Sequence, residues 1–442
     1  MALSGLDIYK LLPKTNCKQC GFATCLAFAM ALAKKAVSIE KCPFISEEAK
    51  RILEASSQPP IKLVSIGSGE NKLDVGNETV MFRHEEKFQH PSGIGFIIED
   101  SLDDSAIKQR LQAISKLKFE RVGQKLDVNL VAIRQNNTAD RFAQVIKLSS
   151  NTCQIPLVLM SDDLEGLRAA LKICSASRPL IYRATKDNIT PLSKLAKEFN
   201  VPLVVSSEDL DSLSSLTLEA NKEGLTDLIL DTGAKPIPEK IWDLTQIRRQ
   251  ALKKSNRSLG YPVITLVEQD DPYEEVIEAA TYIAKYSGLV LLKGVESWQV
   301  LSVLTLRQNI YTDPQKPLQI EPKVYPVGQV SDKSPVLVTT NFSLSYFTVL
   351  GEVEASKVPS YIVSVDTEGM SVLTAWAAEK FTPEKIADSL DKFGVRNLVS
   401  HNKLVIPGYV AVMSADLEEQ SSCQIIVGPK EAAGIPSFLK NL

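Results

Sequence analysis

Four cysteines fall within the first 42 residues, spaced Cys17-x2-Cys20-x4-Cys25-x16-Cys42, with Pro43 directly after the last. A cubane iron–sulfur cluster needs four thiolates converging from one short stretch, and a proline after the final ligand is common in ferredoxin-type runs. Cys17 and Cys20, three apart in a turn, can reach neighbouring irons. Gly21 lets the backbone fold closely round the sulfides. Structural zinc also takes four cysteines and stands as the alternative. Zinc ligands usually come as two paired knuckles, however, and the x4 and x16 spacings supply no second one. The pattern favours a 4Fe–4S cluster, and metal ligation would staple a segment whose core is thin.

Other chemistry-bearing residues form no comparable pattern. Cys153, Cys174 and Cys423 stand beside apolar residues and read as core thiols. The chain has only three histidines, His84, His90 and His401. That shortage argues against a His-rich hydrolytic metal site and against most His-based nucleophile machinery. Gly67-Ser68-Gly69 follows a strand-like run without opening a helix, and no Walker sequence or GxSxG elbow occurs. A net charge of −3 without a basic run argues against nucleic acid as a partner. No apolar run is long enough to span a membrane, and the start, MALSGLDIYKLLPK, does not read as a signal peptide. A cytoplasmic location is expected, and in a reducing compartment clustered cysteines more often bind metal than form disulfides.

These residues must be positioned by more than one domain, since 442 residues exceed one ordinary core. Residues 1–57 read as a small helical iron–sulfur domain. Leu6–Leu12 form a helix stopped by Pro13, and 23–37 an Ala-rich helix carrying Cys25 on its first turn. The stretch 46–55 forms a third helix, with Ser46 as N-cap and Glu47 and Glu48 in the first turn. Ser56-Ser57-Gln58-Pro59-Pro60 is a linker. Residues 58–325 hold eight apolar β-rich runs, at 94–98, 128–133, 156–160, 179–183, 202–206, 227–231, 262–266 and 288–292. Helical stretches such as 164–173 and 190–199 separate them. The count of eight favours a (β/α)8 TIM-type barrel over an open doubly wound sheet. Runs at 62–66 and 78–82 look like a hairpin closing the barrel's bottom. The strand ends carry Glu99, Asp100, Asp162, Asp163, Arg183, Glu208, Asp231, Glu268 and Lys293. Barrels place active sites at such strand ends, but solvated loop charges are the simpler expectation here.

Pro314, Pro317, Pro322 and Pro326 mark a second boundary. Residues 326–442 then show strand-like runs at 336–339, 360–365, 397–399, 403–406 and 423–427. Helices at 343–350, 371–380 and 383–393 complete a C-terminal doubly wound α/β domain. Its loops TTNFS (339–343), DTEGMS (366–371), PGY (407–409) and GPKEAAG (428–434) have the small and polar residues of a ligand site.

The stretch LPKTNCKQCGFATCLAFAMALAK resembles the iron–sulfur domain of the large (gamma) subunits of corrinoid/iron–sulfur proteins, in the carbon monoxide dehydrogenase/acetyl-CoA synthase (Wood–Ljungdahl) system. TTNFSLSY, DTEGMSVLTAWAAEKF and the order of three domains are similar to that family across the whole chain. The resemblance implies that the C-terminal domain binds a cobalamin-type corrinoid. Its site would map onto Thr340, Phe342 and Tyr346, then Gly369, Met370, Ser371, Val372, Leu373 and Thr374, then Gly408, Ala433 and Gly434. Many corrinoid domains offer cobalt a histidine from an Asp-x-His-x-x-Gly loop. This sequence has none, and His401 in VSHNK lacks the neighbours. The resemblance implies a base-off corrinoid with Thr374 beneath the cobalt.

The resemblance further implies a methyl carrier, a subunit of a methyltransferase system. Co(I) would accept a methyl group from methyl-tetrahydrofolate, or from methyl-tetrahydrosarcinapterin in a methanogen, through a separate methyltransferase. Methyl–Co(III) would deliver it to acetyl-CoA synthase, and the cluster would return an electron to Co(II). Expected partners are a barrel-shaped small subunit forming a heterodimer, the methyltransferase, acetyl-CoA synthase/carbon monoxide dehydrogenase and a reductive activator protein. A ferredoxin-like electron-transfer or scaffold subunit without corrinoid is the other class, and cobalt analysis separates the two.

Overall fold

A computed structural model describes residues 5–33, 36–46, 49–50, 53 and 59–442. Near the N-terminus, helices Gly5–Leu11 and Cys25–Ala33 share an apolar core of Ile8, Leu12, Phe28, Ala29 and Leu53. Ser46 caps a turn as its position predicts, its hydroxyl accepting from the Ala49 N–H at 3.2 Å. Glu47, Glu48, the rest of the expected third helix apart from 49–50 and 53, and linker residues 56–58 lie outside the described residues.

Two compact units follow from the packing. One holds Met1–Lys118 and Asp127–Tyr311, the other Phe119–Leu126 and Thr312–Leu442. In the first unit, β1 (Val64–Ile66) pairs antiparallel with β2 (Leu73–Val75). The hairpin partner is therefore 73–75 and not 78–82. Gly76 and Asn77 both take positive φ and turn the chain away, and Glu78 beyond them is a buried carboxylate paired with Arg248 at 2.9 Å. Strands β3 (Gly93–Glu99), β6 (Leu130–Arg134), β7 (Leu157–Met160), β8 (Leu180–Ala184) and β9 (Leu203–Ser206) are joined by β10 (Leu228–Asp231), β11 (Ile264–Val267) and β12 (Leu289–Leu292). Between β3 and β6 lies a short hairpin, β4 (Lys118–Arg121) with β5 (Gln124–Asp127).

The eight-stranded sheet runs β10-β9-β8-β7-β6-β3-β12-β11, and a parallel bridge from Leu230 to Val263 joins its two ends. The result is an eight-stranded parallel barrel. Its strands are near-continuous runs of Leu, Ile and Val because helices cover the outside and side chains fill the inside, so neither face meets water. Val64, Ile66 and Val75 of the first hairpin pack with Ile97, Leu130, Val158, Leu180, Val204, Ile229 and Ile264 inside. Each such fully buried side chain contributes about 1.5–3 kcal/mol. The outer helices are amphipathic: in Leu164–Cys174 the buried residues include Leu167, Ala170, Leu171 and Cys174. Asp163 starts that helix by accepting from the Glu165 N–H at 3.0 Å.

The second unit is built on β13 (Val324–Val327), β14 (Val336–Thr340), β15 (Ser360–Val365), β16 (Lys403–Ile406) and β17 (Gln424–Val427), in the order β13-β15-β14-β16-β17. All pairings are parallel except β13 with β15. The antiparallel edge strand β13 falls within the proline-rich run, whose prolines suit an edge where a missing N–H is tolerated. The expected strand at 397–399 is absent. Gly394 at φ +66° starts a 3₁₀ turn over Val395–Asn397 there, and Val395 fills the core. Val122 of the β4–β5 hairpin packs against Ile320, Val327, Leu337 and Tyr346 in this same unit.

Candidate functional site

The chain runs from β14 to β15 on one side, then crosses back to β16 on the other. That reversal is a topological switch point, and open α/β sheets bind ligands outside the strand C-termini there. β14 and β16 are joined at Leu337 and Val405, next to which a cavity of about 320 Å³ opens. Its walls are the ends of β14 and β16, the loop carrying Ser371 and Val372, and the Pro407–Tyr409 and Gly428–Ala432 segments. Helix Ser343–Ser356 turns Leu344, Ser345, Thr348 and Val349 toward it.

Of the twelve residues expected to bind the corrinoid, Phe342, Ser371 and Val372 line this cavity. Leu373 is 46% exposed, and the exposed Thr374 shares a 3.0 Å hydroxyl contact with Ser371. Met370 packs partly into the core below β14. Ala433 is exposed and Gly434 half-buried, next to the lining residue Ala432. Gly408 is fully packed: a Cβ there would lie 2.5 Å from the Gly428 carbonyl oxygen, so two loops meet backbone to backbone. Thr340 is buried, and its hydroxyl has no hydrogen-bond partner among the described residues. Tyr346 is not among the lining residues; it is buried beside Ile320, Val327 and Ile362, with its ring 4.7 Å from that of Tyr325. Leu344 and Ser345 lie within the expected 340–346 stretch, whereas Thr348 and Val349 lie beyond it, although their i+4 spacing from Leu344 and Ser345 is the signal of one helix face. Leu344 and Tyr409, which both line the cavity, are exposed by 66% and 45%, apolar surface of the kind that marks a ligand or partner site.

Asn341, buried at the end of β14, fixes the facing loop. Its Oδ1 accepts from the Thr367 N–H at 2.9 Å, the Thr367 hydroxyl at 3.0 Å and the Gly369 N–H at 3.0 Å. Its Nδ2 donates to Gln319 Oε1 at 3.2 Å and Asp366 Oδ1 at 3.3 Å. Gly369 sits at φ +76° and a Cβ there would strike the Gln319 side chain at 2.6 Å. The segment that leads to Ser371 is thus held by one amide and one glycine.

At the N-terminus, Cys25 and Cys42 are buried in one core with Cys20 packed against it, while Cys17 is exposed. Among the described residues no three His, Cys, Asp or Glu side chains are gathered closely enough to hold a metal. The spacing expected convergence, whereas the structure draws the thiols only partly together. Ligand sites of this kind commonly close as metal binds, because binding and folding are coupled. The donor chemistry nevertheless fits a cluster. Lys14, Asn16, Lys18 and Gly21 take positive φ, the backbone that builds nests of N–H groups around anions and Fe–S centres. The Asn16 N–H already points at Cys25 Sγ at 3.4 Å, and Asn16 Oδ1 accepts from the Cys25 N–H at 2.8 Å. The Gln19 N–H and the Thr15 hydroxyl hold the Cys17 thiol below its ordinary pKa. Burial raises those of Cys153 and Cys174, the latter to about 12, as suits inert core thiols.

The barrel's strand ends enclose a cavity of about 570 Å³. Its charges are not all solvated, contrary to the simpler expectation. Asp231 is 2% exposed and accepts from the Tyr182 phenol at 2.9 Å, the Ser206 hydroxyl at 3.1 Å, the Gly233 N–H at 3.0 Å and Lys240 at 3.3 Å. Asp100 is also buried and accepts from the Asn136 N–H at 2.7 Å. Arg134 grips Glu268 with two bonds of 2.8 and 2.7 Å, which holds the Glu268 carboxyl below the usual range. These groups mostly satisfy one another. No helix of the described residues is long and apolar enough to cross a membrane.

Comparison with known proteins agrees with this geometry. The family described as CO dehydrogenase/acetyl-CoA synthase delta subunit matches residues 63–439, and an Fe-S cluster family matches residues 12–44. The corrinoid/iron-sulfur protein large subunit of Moorella thermoacetica is 43% identical over 441 residues, covering 100% of this chain and 99% of that protein. The acetyl-CoA decarbonylase/synthase complex subunit gamma of Methanothermobacter thermautotrophicus is 34% identical over 456 residues, covering 100% of this chain and 99% of that protein. Among solved structures, 7,8-dihydropteroate synthase from Vibrio fischeri ES114 aligns with 51% of this chain and 95% of that one at 14% identity and a TM-score of 0.39, too slight a likeness to bear on function.

Proposed function

Because the chain belongs to the family of the CO dehydrogenase/acetyl-CoA synthase delta subunit, with corrinoid/iron-sulfur large subunits and gamma subunits as its full-length relatives, we propose that it is a corrinoid- and 4Fe–4S-bearing methyl carrier. When bound, the corrinoid supplies a cobalt that carries a methyl group from a methylated tetrahydropterin to acetyl-CoA synthase, and the cluster supplies the electron that restores oxidised cobalt. The observation that carries the reading is the switch-point cavity. Apart from Lys430 it is walled by backbone and by apolar or neutral side chains, as a wide flat macrocycle requires, and it opens onto exposed Leu344 and Tyr409.

This chain's own residues then have distinct tasks. Cys17, Cys20, Cys25 and Cys42 ligate the cluster, and Asn16 hydrogen-bonds one ligand sulfur. Phe342, Leu344, Thr348, Val349 and Val372 exclude water from one face of the ligand. Ser371 and Ala432, beside Ala433 and Gly434, admit it closely. Thr374, a residue with no nitrogen donor, stands where many corrinoid domains present histidine. Without a strong axial donor, low oxidation states of cobalt are easier to reach. The partners of this role are a small subunit, a methyltransferase, acetyl-CoA synthase/carbon monoxide dehydrogenase and a reductive activator.

Electron paramagnetic resonance of the cob(II) form tests the reading. The parent protein should show no nitrogen superhyperfine splitting, and Thr374→His should introduce it and lower the Co(II)/Co(I) potential. Each 59 mV of that one-electron shift is about a tenfold change in equilibrium. Nitrogen splitting in the parent would refute the base-off assignment, and an unchanged, folded Thr374→His would remove Thr374 from the cobalt.

A further inference from the structure

The cavity at the β14/β16 switch point has one charged lining residue, Lys430. Everything else that lines it is apolar, backbone, or a neutral hydroxyl or phenol. Lys430 is exposed at the lip, and no ion pair or hydrogen bond among the described residues engages its ammonium. The adjacent carboxylate, Glu431, is occupied by the Tyr409 phenol. The lysine's backbone is nonetheless firmly placed. A Cβ at Gly408 would lie 2.9 Å from the Lys430 nitrogen, and the Gly408 N–H bonds the Pro429 carbonyl at 3.1 Å. An unpaired cation fixed at the lip of an uncharged cavity is complementary to a ligand with one anionic group away from its apolar body.

Resting on the corrinoid reading above, we infer that Lys430 is an anion subsite holding the phosphodiester of the corrinoid's nucleotide tail. The side chains around a corrin ring are neutral amides, so the phosphodiester is the anion a complete corrinoid offers. A tail whose base does not ligate cobalt is free to extend toward the lip. The ammonium–phosphate contact is charge-assisted and partly shielded from water by the ligand itself, which makes it stronger than an exposed surface ion pair. It also gives the site a means to prefer complete corrinoids over precursors that lack the nucleotide.

The test uses the full chain freed of corrinoid, titrated with hydroxocobalamin and, separately, with aquocobinamide, which has no phosphodiester. Visible absorption follows binding. Lys430→Gln should weaken cobalamin binding about tenfold, equivalent to about 1.4 kcal/mol, and leave cobinamide affinity within twofold. Lys430→Arg should keep most of the cobalamin affinity, and added salt should shrink the difference between parent and Lys430→Gln. Undiminished cobinamide binding serves as the control for folding of the variant. Equal weakening of both ligands, or no change in either, overturns the subsite while leaving the corrinoid reading intact. A parent chain that binds neither ligand overturns both.

Discussion

Replacing Asn341 with Leu removes the acceptor on which the Thr367–Gly369 turn depends. Leucine keeps the branched outline of asparagine but carries bulkier methyl groups, so at this buried position some crowding adds to the loss of hydrogen bonds. The Thr367 hydroxyl can turn fully to the Met370 carbonyl, already 3.0 Å away. Among the described residues the N–H groups of Thr367 and Gly369 have no such second acceptor, and both residues are buried. Leaving a buried donor unsatisfied costs about 1–3 kcal/mol, so two orphaned N–H groups predict about 2–6 kcal/mol against the native loop. Hydrogen exchange of the full-length chain reads this directly. Protection of the Thr367 and Gly369 amides should fall by at least about thirtyfold, at roughly 1.4 kcal/mol per factor of ten, while protection in β14 itself persists. Corrinoid affinity should fall in parallel, since the loop carries Ser371 and Val372. Asn341→Asp keeps the Oδ1 acceptor but turns its second oxygen toward Gln319 Oε1 and Asp366 Oδ1, so it should lose less protection than Asn341→Leu without matching the parent. Unchanged exchange at both amides in Asn341→Leu would show that the loop is held by other contacts and that the amide is not its anchor.

Cys20→Ala should lower iron well below about four per chain, while cobalamin still binds the second unit. That variant should accept methyl groups normally after chemical reduction but fail to recover from Co(II) with protein donors alone, which paired stopped-flow and reactivation assays measure. Glu268→Gln should flatten the acid limb of unfolding: Arg134 depresses the Glu268 pKa, so the parent's gain is complete above its unfolded value of about 4.3 and is lost as pH falls through the lower folded value. Equal acid sensitivity of parent and variant would show that the pair contributes nothing. Tyr182→Phe strips one donor from buried Asp231 and should lower stability by about 1–3 kcal/mol in urea titration, with cobalamin affinity unchanged.

Much of the architecture was legible because its signals were local. The barrel strands announced themselves as short Leu/Ile/Val runs, which parallel strands buried on both faces require. The cysteine spacing announced a cluster, and Pro-rich residues 314–326 announced a break. What escaped depended on long-range packing. The β13 edge strand was hidden by the same prolines that mark the break. The β4–β5 hairpin lies between β3 and β6 in sequence yet belongs with residues 312–442, because Val122 completes a core made there. The span 78–82 had strand-like composition, but two positive-φ residues and the Glu78–Arg248 pair override it. In the site, the loops after β14, β15, β16 and β17 were readable as the walls of one crevice, whereas Asn341 looked like one polar residue among several. Its role rests on three bonds to residues 26 and 28 positions away, which no local pattern encodes. Tyr346 shows the converse: within a recognised motif, one helical turn decides which side chains face the cavity.

The central claim is that one chain carries both an iron–sulfur cluster and a corrinoid. Iron and cobalt analysis of protein purified without oxygen, with its visible spectrum, tests it most directly. The account predicts about four iron and one cobalt per chain, no stoichiometric zinc, and the overlaid absorption of a cluster and a base-off corrinoid. Zinc in place of iron would contradict the cluster. Iron without cobalt, in protein that also fails to take up added cobalamin, would make the chain an electron-transfer subunit and contradict the methyl carrier.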